Sequence, residues 1–198
     1  RLFKFGIKMC IMVSLKPRYK HIVQKPYFCG PACIQMILFR RGKWVEQEEI
    51  GQKCGVKILA KDKNKFTRKL QTAKNLKGCG IWLAEFGKPK ILKFLKKYGM
   101  KAKVFKLSEI RNLEEFISDN LRESNDIIAN FWLKPIYGSS DGHFVLVSEF
   151  DVRRKIVTVC DPWYAYPSFW EIKLSKLAGC MTKKFDGRER GFVVVSKI

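Results

Sequence analysis

Histidine and acidic side chains are scarce in this chain. Only two histidines, His21 and His143, occur among 198 residues, and 18 Asp and Glu stand against 40 Lys and Arg. A structural zinc site is disfavoured, because no histidine and no second cysteine pair accompany the close pair Cys29 and Cys33. The scarcity of histidine also leaves only two candidates for an imidazole general base.

Long apolar runs are also absent, and no stretch approaches the length that spans a bilayer. Residues 9–15 form a short uncharged run, at the lower limit for the apolar part of a signal peptide and without a clear cleavage site. Seven cysteines are an odd number for a disulfide framework, and the chain is long enough to bury a sizeable core without one. These features favour a reducing compartment, so we expect a cytoplasmic protein without a transmembrane segment.

The net charge of +22 is the largest deviation in composition. Such a field attracts nucleic acid, anionic membranes or acidic substrates. The lysines are thickest between Lys53 and Lys106, mostly as singles or pairs between apolar residues, which is the pattern of solvated faces. No signature of a nucleic-acid-binding module occurs. Nucleic acid and anionic surfaces therefore stay open as partners but are not favoured.

The order of helical and strand patterns predicts a single α+β domain over residues 1–198. Helical spacing covers residues 31–41, 45–54 and 89–98 and a segment capped by Ser108, and residues 56–80 are expected as loop or short helices. Extended segments are expected at residues 3–13 and 101–107 and, from residue 126 onwards, in five further runs. We therefore expect a helical N-terminal half packed on a C-terminal antiparallel sheet, with a cleft between them.

Cys29 is the leading candidate for a nucleophile. Gly30 and Pro31 follow it, and proline is well tolerated in the first turn of a helix, so Cys29 is expected at a helix N-terminus. The N–H groups and helix dipole there stabilise a thiolate and can donate to the oxyanion of a tetrahedral intermediate. The alternative is a buried cysteine at an ordinary helix start. Cys79, between two glycines, is the rival nucleophile, and Cys33 is expected in the core.

His143 is the better candidate for a general base. It opens an apolar strand that would hold its ring in a fixed orientation, whereas His21 lies in a loop. Asp161 closes the next strand, and a hairpin through the intervening polar turn would bring it beside His143, where a carboxylate can orient the imidazole. Asp141 and Asn130 are the competing orienting groups. A structural role for His143 is the alternative to all of these.

Gln24 stands five residues before Cys29. A side-chain amide at this distance can donate an N–H to an oxyanion, although a glutamine in a surface loop is the ordinary reading of such a residue.

Three runs, at residues 24–33, 142–147 and 157–162, together resemble the C39-like peptidases of the papain-like cysteine peptidase superfamily. The resemblance extends over about residues 20–197. It implies a papain-like fold with Cys29 as nucleophile, His143 as base, Asp161 as orienting acid and Gln24 as oxyanion donor. The family's glutamine commonly stands slightly further from its cysteine than Gln24 does.

The resemblance implies a cysteine peptidase or related thiol hydrolase that cleaves a peptide or amide bond through an acyl-enzyme. Its expected partner is a peptide or protein substrate, and we expect neither a metal ion nor an organic cofactor. Two alternatives stay open. A papain-like acyltransferase or transpeptidase would use the same site with another acceptor, and a non-catalytic C39-like module would only bind peptides.

Overall fold

The structure is a computed structural model that describes residues 12–139, 141–182 and 187–198. The longer strands all lie in the second half of the chain. The described strands are β1 (Met12–Ser14), β2 (Lys57–Leu59), β3 (Gln71–Ala73), β4 (Met100–Lys106), β5 (Asp126–Trp132), β6 (Gly142–Asp151), β7 (Ile156–Cys160), β8 (Phe169–Lys173) and β9 (Gly191–Lys197).

Three of the described α-helices precede β4 and three follow it. The described α-helices are α1 (Cys29–Arg40), α2 (Gln47–Cys54), α3 (Pro89–Lys96), α4 (Leu113–Arg122), α5 (Lys134–Tyr137) and α6 (Leu174–Gly179). None of these helices combines the length and the apolar character that crossing a bilayer would require.

One antiparallel sheet organises the domain. Its strand order is β4-β9-β5-β6-β7-β8, and β1 pairs with the far end of β6. β6 is buried along nearly its whole length, so the sheet is covered on both faces. α1 packs on β6 and α2, while α4 packs against β1, β5 and β6.

The arrangement is the predicted α+β fold with one difference in how the sheet is assembled. β1 precedes the first described helix, α1, yet it belongs to the main sheet. The helical layer is therefore not a separate N-terminal unit. The sheet is completed only when early and late segments of the chain come together.

The predicted start of the helix after residue 107 was wrong. Ser108 does not cap a helix: it lies in a short 3-10 turn, Leu107–Glu109, and its N–H donates to Glu189 Oε1 at 2.7 Å. α4 starts later, behind Asn112, whose side chain accepts from the N–H groups of two first-turn residues. A free asparagine side chain is as good a cap as serine, and here it is the one oriented toward the helix.

The region expected as loop or short helices also contains strands. β2 and β3 pair in parallel over three residues each, with 3-10 turns between and after them. Strands this short leave no alternation to recognise in the sequence. Of the extended segment expected at residues 3–13, the last two residues lie in β1, and residues 3–11 lie outside the described part of the chain.

Candidate active site

Cys29 is the first residue of α1, and no side chain caps the helix in front of it. Pro31 has no N–H, and within the described residues the N–H of Cys29 has no hydrogen-bond partner. This helix start therefore concentrates unpaired N–H groups and the positive end of the dipole around the Cys29 sulfur. Such a position favours negative charge on the sulfur and leaves a backbone donor free for a ligand.

Gly30 allows the helix start to pack tightly against the opposite wall of the cleft. A Cβ atom on Gly30 would lie 2.6 Å from Cδ1 of Ile81, closer than real Cβ contacts. Ile81 lines the same cavity as Cys29. A larger residue at position 30 would thus push the cavity wall away from the cysteine.

His143 and Asp161 form a buried hydrogen-bonded pair. His143 Nε2 donates to Asp161 Oδ1 at 2.7 Å, and the two side chains are 3% and 0% exposed. Cys29 lines the same cavity as His143, and its side chain contributes to the pKa of the ring. Because Nε2 is committed to Asp161, Nδ1 is the ring nitrogen left for Cys29 or a substrate.

The environment of His143 favours its protonated form. Burial lowers the pKa of the imidazole, but the hydrogen bonds to Asp161 and Cys29 and their negative charges outweigh burial and raise the pKa to about 9. A protonated imidazole beside a cysteine is the partner that a thiolate needs.

Asp161 is fixed by three donors. Its Oδ1 accepts from the N–H of Trp163 at 2.9 Å as well as from His143, and its Oδ2 accepts from the indole Nε1 of Trp170 at 3.0 Å. In addition, His21 Nε2 donates to the Asp161 carbonyl oxygen at 2.8 Å. The carboxylate therefore has one orientation, and it holds the imidazole in one orientation too.

The strand register explains how the pair forms. β6 and β7 are antiparallel neighbours, with Leu146 opposite Cys160. His143 is the second residue of β6, and Asp161 directly follows β7, so both lie at the same end of the hairpin. A bulge between Val147 and Glu149 shifts the register by one residue.

Gln24 faces the same cavity from a loop that is held by its backbone. Its N–H donates to Pro162 O at 2.8 Å. On either side of it, Gln47 donates to Val23 O at 2.7 Å and accepts from the N–H of Lys25 at 3.0 Å. The Gln24 Oε1 is buried and has no hydrogen-bond partner among the described residues. The loop is thus fixed without the Gln24 side chain.

A cavity of about 680 Å³ brings these groups together. Gln24, Cys29 and His143 line it, and Asp161 lies behind the histidine. Its walls carry aromatic and cationic side chains, among them Trp82, Trp132, Trp163, Lys77 and Lys134. A cleft of this size accommodates several residues of an extended peptide. Nowhere in residues 12–139, 141–182 and 187–198 do three or more His, Cys, Asp or Glu side chains cluster in a way that could hold a metal ion.

The rival residues occupy other positions. Asp141 lines the cavity, but its carboxylate accepts from Ser139 at 2.9 Å, and Asn130 Nδ2 donates to the backbone oxygen of His143 rather than to its ring. Cys79 also lines the cavity, but burial and the charge of Asp62 raise the pKa of its thiol.

Cys33 is completely buried in the core. Burial is the largest of the effects that raise the pKa of its thiol well above the ordinary value. The charges of Cys29, Cys160 and Asp161 raise it further. Such a thiol stays protonated and is shielded from a substrate.

Three supporting residues were missed by the sequence reasoning: Trp170, Gln47 and the new role of His21. Trp170 contacts Asp161 from 9 residues away in sequence, Gln47 contacts Val23 from 24, and His21 contacts Asp161 from 140. An indole or an amide in a strand or helix carries no local mark of such a contact. Only the folded arrangement reveals these residues.

A mixed fold of this kind, with a cysteine at a helix start across a cleft from a histidine in an antiparallel sheet, is the papain-like fold of cysteine peptidases. The family model described as "Peptidase_C39 like family" matches residues 16–179. The chain therefore belongs to the C39-like peptidase family.

A solved structure agrees with this fold. The peptidase domain of Streptococcus ComA, a bifunctional ABC transporter of a quorum-sensing pathway, is similar with a TM-score of 0.52 and 15% identity, over 91% of this chain and 99% of that one. A double glycine motif protease from an AMS/PCAT transporter, solved with its leader peptide, is similar with a TM-score of 0.47 and 19% identity, over 93% and 96% of the two chains. No curated protein sequence matches the chain.

Proposed function

We propose that the protein is a cysteine peptidase that hydrolyses a peptide bond through an acyl-enzyme on Cys29. The observation that carries the proposal is the buried His143–Asp161 hydrogen bond of 2.7 Å, at a cavity that Cys29 also lines. The substrate is a peptide or a protein segment that enters the cavity in an extended conformation. Membership of the C39-like family supports this choice of bond.

Acylation begins from a thiolate–imidazolium pair. The Cys29 sulfur attacks the scissile carbonyl carbon and forms a C–S bond, while the C=O electron pair moves onto oxygen. In this proposal the Cys29 N–H and the Gln24 amide donate to that oxyanion, since both residues line the cavity. When the intermediate collapses, the C–N bond breaks and His143 gives its Nδ1 proton to the leaving amine.

Deacylation uses the same groups in the reverse sense. Neutral His143 takes a proton from water at Nδ1, and the resulting hydroxide attacks the thioester carbonyl. Collapse of the second intermediate expels the thiolate, releases the carboxylic acid and restores the ion pair. Throughout the cycle Asp161 keeps Nε2 protonated and the ring in place.

Gln24→Ala is expected to lower kcat by about 10²-fold with little change in KM, because an oxyanion donor acts mainly in the transition state. Initial-rate kinetics on a peptide substrate measure this. Gln24→Glu is the matched variant: it keeps the length but replaces the amide donor with a carboxylate acceptor, and it should be at least as damaging. A loss confined to KM in both variants would contradict the oxyanion role.

Alkylation tests the proposed reaction directly. With a quenched fluorescent peptide mixture at neutral pH, we expect hydrolysis to fall in parallel with carbamidomethylation of Cys29 by iodoacetamide, located by mass spectrometry. Cys29 should react before Cys79, since the raised thiol pKa of Cys79 keeps it protonated.

Three outcomes would contradict the peptidase proposal. Hydrolysis could persist after Cys29 is fully alkylated. Cys29 could react no faster than the other cysteines of the folded protein. Added amine could be acylated faster than water, which would make the enzyme a transferase.

A further inference from the structure

The positive charge of this protein is concentrated in one segment. Residues 51–106 contain seventeen Lys and Arg but only two acidic residues, Asp62 and Glu85, although this segment is little more than a quarter of the chain. All seventeen basic side chains are exposed. Most of the net charge of +22 therefore comes from the exposed side chains of this one segment.

Little of this charge is neutralised within the protein. Asp62 pairs with Lys65, and Glu85 pairs with Lys88. Arg68 pairs with Glu49, just outside the segment. The other fourteen basic residues of the segment, all lysines, have no ion-pair partner in the part of the chain that the structure describes. Crowded like charges destabilise a fold, so an unneutralised patch of this kind fits an anionic partner.

The lysines of α2 and α3 form the core of this patch. In α3, Ile91, Phe94 and Leu95 are buried, and the lysines project from the opposite side of the helix. α3 packs on α2, and Lys90 reaches the end of α2, with its Nζ 4.0 Å from the Cβ position of Gly55. We call these exposed side chains the basic face; they are Lys53, Lys90, Lys93, Lys96 and Lys97.

We propose that the basic face docks the domain on the surface of an anionic lipid bilayer. Sixteen of the seventeen basic residues in the segment are lysines, whose compact, hydrated ammonium groups suit diffuse attraction to a charged surface. Nucleic acid is the less favoured partner. Its binding sites use arginine forks and exposed aromatic rings, and none of the aromatic side chains described in this segment is exposed.

The proposal goes beyond the peptidase activity and does not depend on it. The segment also carries residues 76–82, which contribute a wall of the catalytic cavity. Docking through the basic face would bring the domain, with its cavity, to the surface of the bilayer. Peptides concentrated at the same surface would meet the enzyme there.

Vesicle sedimentation tests the docking. With phosphatidylcholine vesicles that contain about 30% phosphatidylserine, at about 0.15 M salt, we expect the protein to sediment with the lipid. Pure phosphatidylcholine should not bind it, and binding should disappear at about 1 M salt, where charges are screened beyond roughly 3 Å. Cys29→Ala should bind as the wild type does, which separates docking from catalysis.

Matched variants locate the surface. K93Q/K96Q on α3 should weaken vesicle partitioning about tenfold or more, since each lysine near the bilayer contributes several-fold. K173Q/K176Q removes the same charge from β8 and α6, at the edge of the sheet opposite β4, and should weaken it less than about twofold. Both variants should keep the wild-type rate of peptide hydrolysis.

Three results would overturn the proposal. The protein could fail to bind phosphatidylserine vesicles at about 0.15 M salt. The two variants could weaken binding equally, which would reveal only an effect of net charge. A labelled DNA or RNA oligonucleotide could bind more tightly than the vesicles at the same salt, which would make nucleic acid the partner.

Discussion

Replacing Cys29 by alanine is expected to lower kcat for peptide hydrolysis by roughly 10⁴-fold or more, because the proposed covalent route is lost with the sulfur. Folding should be preserved, since Cys29 lies at the helix start and its side chain is only partly buried. The residual rate would reflect binding and oxyanion donors alone. Single-turnover kinetics with purified protein, checked by circular dichroism, measure the effect.

Cys79→Ala is the control for this prediction. Cys79 is another partly buried cysteine on the same cavity, so any general effect of losing a thiol there should appear in both variants. We expect the rate of Cys79→Ala to stay within about twofold of wild type, as for a substitution away from the reacting atoms. A collapse of activity in Cys79→Ala, with Cys29→Ala still active, would assign the nucleophile to Cys79.

The strongest fold predictions came from segments whose patterns are local. The helix behind Cys29 has a proline in its first turn and a continuous apolar run, and it begins where those signals place it. The paired strands β6 and β7 are long, apolar and separated by a polar turn. In such segments propensity and burial favour the same structure, so one sequence is enough.

The parts that escaped prediction depend on distant partners. Ser108 and Asn112 are both good helix caps by type, and in the folded protein it is the Asn112 side chain that accepts from the N–H groups of the first turn. The parallel pairing of β2 with β3 is likewise fixed by the surrounding packing, because three-residue strands are too short to show alternation.

The candidate site also contains residues that local patterns predict and residues that they do not. Cys29 could be placed at a helix start, and Asp161 beside His143, from turn chemistry and strand lengths. The hydrogen-bonding residues that hold these groups in place could not be predicted from the sequence. Trp170 reaches Asp161 from the neighbouring strand β8, and Gln47 reaches the loop of Gln24 from α2. These contacts depend on the angles at which whole elements pack, which one sequence does not encode locally.

The second large effect is expected for Asp161→Asn, which should lower kcat by roughly 10³–10⁴-fold although the side chain keeps its size. Both carboxylate oxygens now accept hydrogen bonds: Oδ1 from His143 and Trp163, and Oδ2 from Trp170. An asparagine NH₂ must therefore face a donor in either orientation. If it faces His143 it favours the tautomer protonated at Nδ1, which cannot take a proton from the Cys29 thiol.

Asp141→Asn is the matched control. Asp141 lines the same cavity and carries the same charge, but its carboxylate contacts Ser139 and not the imidazole. The control should retain activity within about twofold of wild type. An equal loss in both variants would mean that the charge of the cavity matters and that the orientation of the ring does not.

The pH dependence of kcat/KM further distinguishes the role of Asp161 from that of Asp141. The pKa of His143 is raised to about 9, so the imidazolium should lose its proton, and kcat/KM should fall, as the pH rises through about 9. Asp161→Asn removes a negative charge that favours the imidazolium, so the alkaline limb should move to lower pH, by about one unit or more. Asp141→Asn should leave the limb in place. A limb that does not move in Asp161→Asn would show that another group titrates there, and the ion pair of Cys29 with His143 would have to be abandoned.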